Sequence, residues 1–149
     1  MSGESYTDRS IHCKASADAG RTWGQPWQAR DTAGRDICGF HISVLHLKSG
    51  GLGMVYTDIA KEYGHPGREG GSMVFFRTSD DRGRTWSDPV IIDTIHSCCC
   101  TGHAMVLSGG RLLAPVFRWI SPQTGGEAEN WNTHDGVPSP TFSYSYTCI

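Results

Sequence analysis

An eight-residue pattern occurs twice in this chain. Residues 16–23 read SADAGRTW, and residues 79–86 read SDDRGRTW. Both fit S-x-D-x-G-R-T-W, and their starts lie 63 residues apart. Six shared positions identify a repeat, and a repeat constrains architecture before composition does. The octet's chemistry is that of a turn. Ser and Asp side chains bond nearby backbone N–H groups and hold a tight bend. Gly20 and Gly83 supply a backbone conformation that a Cβ disfavours. Thr and Trp then open the next strand, with the indole as a large apolar plug. The octet residues Ser16, Asp18, Gly20, Thr22, Trp23, Ser79, Asp81, Gly83, Thr85 and Trp86 are therefore read as structural. Trp23 and Trp86 are expected to be buried, and Asp18 and Asp80 to accept backbone hydrogen bonds within their own turns.

The flanking sequence has the grammar of antiparallel strands. Between the octets, alternating apolar residues mark a strand over His41–Leu47. The turn KSGG and a second strand, Leu52–Thr57, follow. A polar stretch, 58–71, leads to a third strand over Ser72–Thr78. The octet then turns the chain into a fourth, Pro89–Thr94. The next unit repeats this order, with strands over His103–Leu107, Arg111–Phe117 and 141–149. Pro115 implies a bulge or an unpaired position, because proline cannot donate to a ladder. The first octet is preceded only by one strand, within Tyr6–Ala15.

The octet resembles the Asp-box, or BNR repeat, of the sialidase superfamily. GRLLAPV, at Gly110–Val116, is similar to a strand of many sialidase-like proteins. The resemblance implies an all-β chain, a partial β-propeller of two to three four-stranded antiparallel blades from a six-bladed sialidase propeller. Residues 1–149 are then a single incomplete domain. A half blade spans 6–39, a complete blade 40–95, and a partial blade 96–149 ends where a third octet is expected. A closed propeller takes at least about four blades, so the remaining blades are expected to lie outside this sequence.

Charge excludes some partners. Thirteen basic and fifteen acidic residues give a net charge of −2, which does not point to nucleic acid or an anionic membrane. No apolar run approaches the roughly 18 residues of a membrane span. The first ten residues, MSGESYTDRS, are polar, with no signal peptide visible; the compartment stays open. The six cysteines form no C-x-x-C pair and show no zinc spacing. Cys98, Cys99 and Cys100 read as small, at least half-buried residues at the start of a strand. His96 and His103 flank them, yet adjacent residues of an extended strand face opposite ways. No metal and no cofactor is expected.

In a four-stranded blade the octets share one face, and the long connections lie on the other. Binding residues concentrate in such loops. The connections 28–41, 58–71, 95–103 and 118–140 carry most of the ionisable groups, with Trp119 and Trp131 as candidate sugar platforms. Mixed guanidinium and carboxylate groups suit an anionic or polyhydroxylated ligand. The resemblance implies a glycoside hydrolase that releases terminal sialic acid from a sialylated glycan. It would hold the sugar carboxylate with three arginines and use an Asp acid/base with a Tyr–Glu nucleophile pair. The family's Arg-Ile-Pro sequence is absent. Placement alone selects Arg35, Asp36 and Arg118 as catalytic candidates. The alternatives are a non-catalytic Asp-box module that binds glycans or proteins, and an incomplete product without activity. The isolated chain is expected to lack sialidase turnover and to self-associate through open strand edges.

Overall fold

The computed structural model describes residues 9–59, 72–93, 97–99, 103–120 and 141–148. All the strands and helices among them are strands. The first unit holds β1 (His12–Cys13), β2 (Trp27–Gln28) and β3 (Arg30–Asp31). The second holds β4 (Phe40–His46), β5 (Leu52–Ile59), β6 (Ser72–Ser79), β7 (Thr85–Trp86) and β8 (Val90–Asp93). The third holds β9 (Ser97–Cys99), β10 (Met105–Val106), β11 (Leu112–Ile120) and β12 (Thr141–Cys148).

The second unit is an antiparallel four-stranded sheet in the order β4-β5-β6-β8, as its sequence grammar implies. The third pairs β10-β11-β12, with β9 also on β11. None of the sheets closes on itself among the described residues. Ser97–Cys99 was expected in a connection; it is a strand, paired at Val116–Arg118 of β11. Pro115 falls where β11 changes neighbour, since β10 pairs up to Leu113 and β9 begins at Val116. Its missing N–H is tolerated at that gap.

Strict alternation along β5 and β6 gives the second sheet two apolar faces. Met54, Tyr56, Met73 and Phe75 point one way and pack with Ile11, Ala29, Ile37 and Trp86. Val55 and Val74 point the other way and pack, with Leu45, on Ala104, Ala114 and Val116. Consecutive units therefore stack face to face. Polar ties reinforce the second contact: the Ala104 N–H donates to the Ser43 hydroxyl at 2.9 Å, and the Lys48 ammonium to the Ser108 carbonyl.

The first and second units are also joined by a parallel pair, β3 with β7, which places Asp31 opposite Trp86. This pairing brings the octet tryptophan under the preceding unit. Trp86 is 1% exposed, but Trp23 is 60% exposed, against the expectation of burial for both. The octet indole is covered by the unit before its own, and no described unit precedes Trp23.

Candidate functional site

The two octets share one Ser–Asp–Gly–Thr hydrogen-bond pattern. The Ser16 hydroxyl donates to Asp18 at 2.7 Å and accepts from the Gly20 N–H at 2.8 Å. Asp18 accepts from the Thr22 N–H at 2.8 Å and from its hydroxyl at 2.7 Å. In the second octet Ser79 donates to Asp81 at 2.8 Å, Gly83 N–H donates to Ser79 at 2.8 Å, and the Thr85 hydroxyl donates to Asp81 at 2.7 Å. The Arg84 and Thr85 N–H groups also donate to Asp81. The turn acceptor is therefore Asp81 and not Asp80, because the third residue of the pattern curls back over the bend. Each bend takes two successive left-handed residues, Ala19–Gly20 and Arg82–Gly83. At Gly83 (φ 80°) a Cβ would also sit 3.3 Å from the Trp86 ring.

These networks fix charge. The Thr22 hydroxyl, the Thr22 N–H and Ser16 hold the Asp18 carboxyl down at about 2. Desolvation pushes Asp81 up, but the Thr85 hydroxyl and N–H outweigh it and bring it to about 2. Both carboxylates are committed to their turns, so neither is suited to proton transfer near neutral pH.

The ionisable side chains of the long connections are arranged differently. Residues 30–36 form a tight loop closed by a bridge between Arg30 and Asp36. The Asp31 side chain is 3% exposed and accepts the Ala33 and Arg35 N–H groups, each at 2.9 Å. The Arg35 Nε donates to its second oxygen at 2.7 Å. Desolvation opposes ionisation of Asp31, but the Arg35 N–H and guanidinium lower its pKa overall. Beside this pair, Arg30 Nε donates to Asp36 at 2.9 Å. A third pair, Arg9–Asp58 at 2.8 Å, ties the first unit to the end of β5.

Of the candidate residues, Arg35 and Asp36 are thus adjacent in one loop, each in an ion pair with an earlier residue of that loop. The Arg35 side chain remains 71% exposed. Arg118 lies in another sheet, on β11 opposite Ser143 of β12 and Ser97 of β9. Residues 60–71, 94–96, 100–102 and 121–140 lie outside the described residues, so Lys61, Glu62, Tyr63, His65, Arg68, Glu69, His96, Glu127, Glu129, Trp131, His134 and Asp135 have no described position.

Sequence reasoning placed Asp31 in a ligand-facing loop and missed that it anchors the loop. The signal was available as an Asp followed three residues later by Gly34, a turn-forming spacing. It also missed Arg77, which is 5% exposed and donates to the Tyr56 hydroxyl at 2.8 Å and the Ser87 carbonyl at 2.6 Å. Among the described residues no group of three or more His, Cys, Asp or Glu could hold a metal ion. Cys13 and Cys38 are not joined in a disulfide, and burial pushes the Cys13 thiol up. No described helix is long and apolar enough to cross a membrane. Compared with known proteins, the chain matches no family model and no curated protein.

Proposed function

We propose that the three units are successive blades of a sialidase-type β-propeller, and that the protein is a glycoside hydrolase acting on terminal sialic acid. The observation that carries this reading is the pair of octets. Both build one Ser–Asp–Thr network, and the second follows the third strand of a four-stranded antiparallel sheet. Face-to-face stacking of consecutive units adds support, since that is how blades share a core. An exposed guanidinium at Arg35 suits a planar carboxylate.

A second reading has its own observation. Arg35 and Asp36 are both engaged within one loop, by Asp31 and Arg30. Such groups hold a surface in shape, which favours a glycan-binding module without catalysis. One experiment separates the two. The full chain is given a fluorogenic α-sialoside, and the same preparation is probed by saturation-transfer NMR with N-acetylneuraminic acid and, separately, with neutral oligosaccharides. The hydrolase reading expects contact with the sugar that Arg35→Ala and Arg118→Ala both weaken. Turnover that these variants abolish would establish hydrolysis by this chain. Contact with neutral glycans but not sialic acid would favour the binding module. Neither contact nor turnover by folded protein would sink both.

A further inference from the structure

A cavity of about 780 Å³ separates β1 from the second sheet. Residues 11–16 form one wall, and Ile42, Val44, His46, Leu52 and Met54 line the other. Ile42 is 43% and Val44 54% exposed, so two same-face apolar residues of β4 form an exposed apolar patch.

The third unit shows what belongs there. Its hairpin turn, with Leu107 N–H on Arg111 O and Gly110 N–H on Leu107 O, repeats the turn at Leu47–Gly51 bond for bond. On that alignment Val44 and Met54 correspond to Ala104 and Ala114. The latter two are 8% and 0% exposed, because Leu45 of β4, Val55 of β5 and Val74 of β6 cover them. Aligning the octets makes Ile11 the counterpart of Val74, and Ile11 does cover Met54 and Tyr56. Nothing among the described residues stands in the places of Leu45 and Val55. The cavity occupies those two places.

The edge of β1 fits the same picture. Ile11 O accepts from Ala29 N–H, and Ala15 O accepts from Gly24 N–H, so the odd-numbered residues bond toward β2. Backbone groups of successive strand residues alternate between edges. His12 and Lys14 therefore present theirs on the opposite edge, where β1 has no paired strand among the described residues. Trp86 also lines the cavity, and its buried Nε1–H lacks an acceptor among the described residues.

We propose that this cavity is a docking site for an antiparallel β-hairpin of the β4–β5 type. One strand adds to the free edge of β1, and its apolar face covers Ile42 and Val44. Main-chain bonds supply affinity and alternate side chains supply specificity in such strand addition. The site follows from the packing of the second and third units and does not depend on the glycosidase reading.

The test uses the full chain and a fluorescein-labelled synthetic peptide of residues 40–59, followed by fluorescence anisotropy. Saturable one-to-one binding is expected. Val44→Asp and Ile42→Lys in the chain, both at exposed positions, should each weaken it at least tenfold. Val90→Asp, 56% exposed on β8 and outside the cavity, should leave it unchanged. Circular dichroism confirms that each variant is folded. Absence of saturable binding, equal binding of a scrambled peptide, or equal binding by Val44→Asp would overturn the proposal. So would self-association of the chain that Val44→Asp abolishes while the peptide fails to bind, since the occupant would then be a second copy.

Discussion

The indole N–H of Trp27 donates to the carbonyl of Gly83 at 2.9 Å, across 56 residues of sequence. The donor follows the first octet, and the acceptor is the left-handed glycine of the second. The Arg84 guanidinium sits 4.3 Å from the centre of the same indole ring. One aromatic side chain thus clamps the next unit's turn from two directions. Trp27→Phe keeps a ring and removes the donor, leaving the part-buried Gly83 carbonyl without this bond. The expected cost is about 1–2 kcal/mol, the range for one hydrogen bond with a weakened cation–π contact. Urea unfolding measures it. A midpoint equal to wild type would mean the clamp adds nothing to the joint between units.

The two octet tryptophans should separate sharply. Trp86 is enclosed by residues from two units, and Trp86→Ala is expected to cost about 3–5 kcal/mol. Trp23 is exposed, and Trp23→Ala should stay within about 0.5 kcal/mol. Denaturation of both variants checks the contrast. Equal losses would show that Trp23 is also covered in solution.

The carboxylates of the second octet allow a finer comparison, because Asp80 and Asp81 are neighbours with different tasks. Asp81→Ala strips acceptors from Thr85, Arg84 and Ser79, at an expected cost of about 1–3 kcal/mol. Asp80→Ala should change stability by no more than about 0.5 kcal/mol. The same unfolding assay decides it. A larger loss for Asp80→Ala would reverse the assignment of the turn acceptor.

What was legible in the sequence is what local chemistry determines. The alternation along His41–Leu47, the turn at Gly50–Gly51 and the position of the second octet placed β4, β5 and β6 to within two residues. Thr85 and Trp86 marked where the octet ends. What was not legible depends on contacts between units. Trp23 and Trp86 are the same residue in the same motif, and only the strands packed around each, from its own unit and from the one before, distinguish them. The parallel pairing of β3 with β7 joins residues 55 apart and has no local signal. The stretch around Arg35 was legible as a charged connection, but its internal pairing was not. Arg and Asp side chains reach any of several partners, and the pattern of residue types does not choose among Asp31, Asp36 and Asp88, the last 3.9 Å from the Arg35 guanidinium.

Asp18 and Asp81 are both lowered from an ordinary 3.8 to about 2 by hydrogen bonds that exist only in the folded turn. In the unfolded chain these carboxyls take up a proton near 3.8, whereas in the folded chain they do so only near 2. Between those values the unfolded state binds more protons, so stability falls as pH falls. The contribution is complete above about pH 4 to 5 and is lost on descent to about pH 2. Asp31 is shifted in the same direction and adds to the same slope. Both octet carboxylates face water, so screening keeps the effect of each modest. The measurement is the urea midpoint from pH 5 down to pH 2, for wild type and for the double variant Asp18→Asn, Asp81→Asn. The variant should be less stable at pH 5 and should lose less on acidification. Parallel pH profiles would show that the turn hydrogen bonds do not hold these carboxylates ionised.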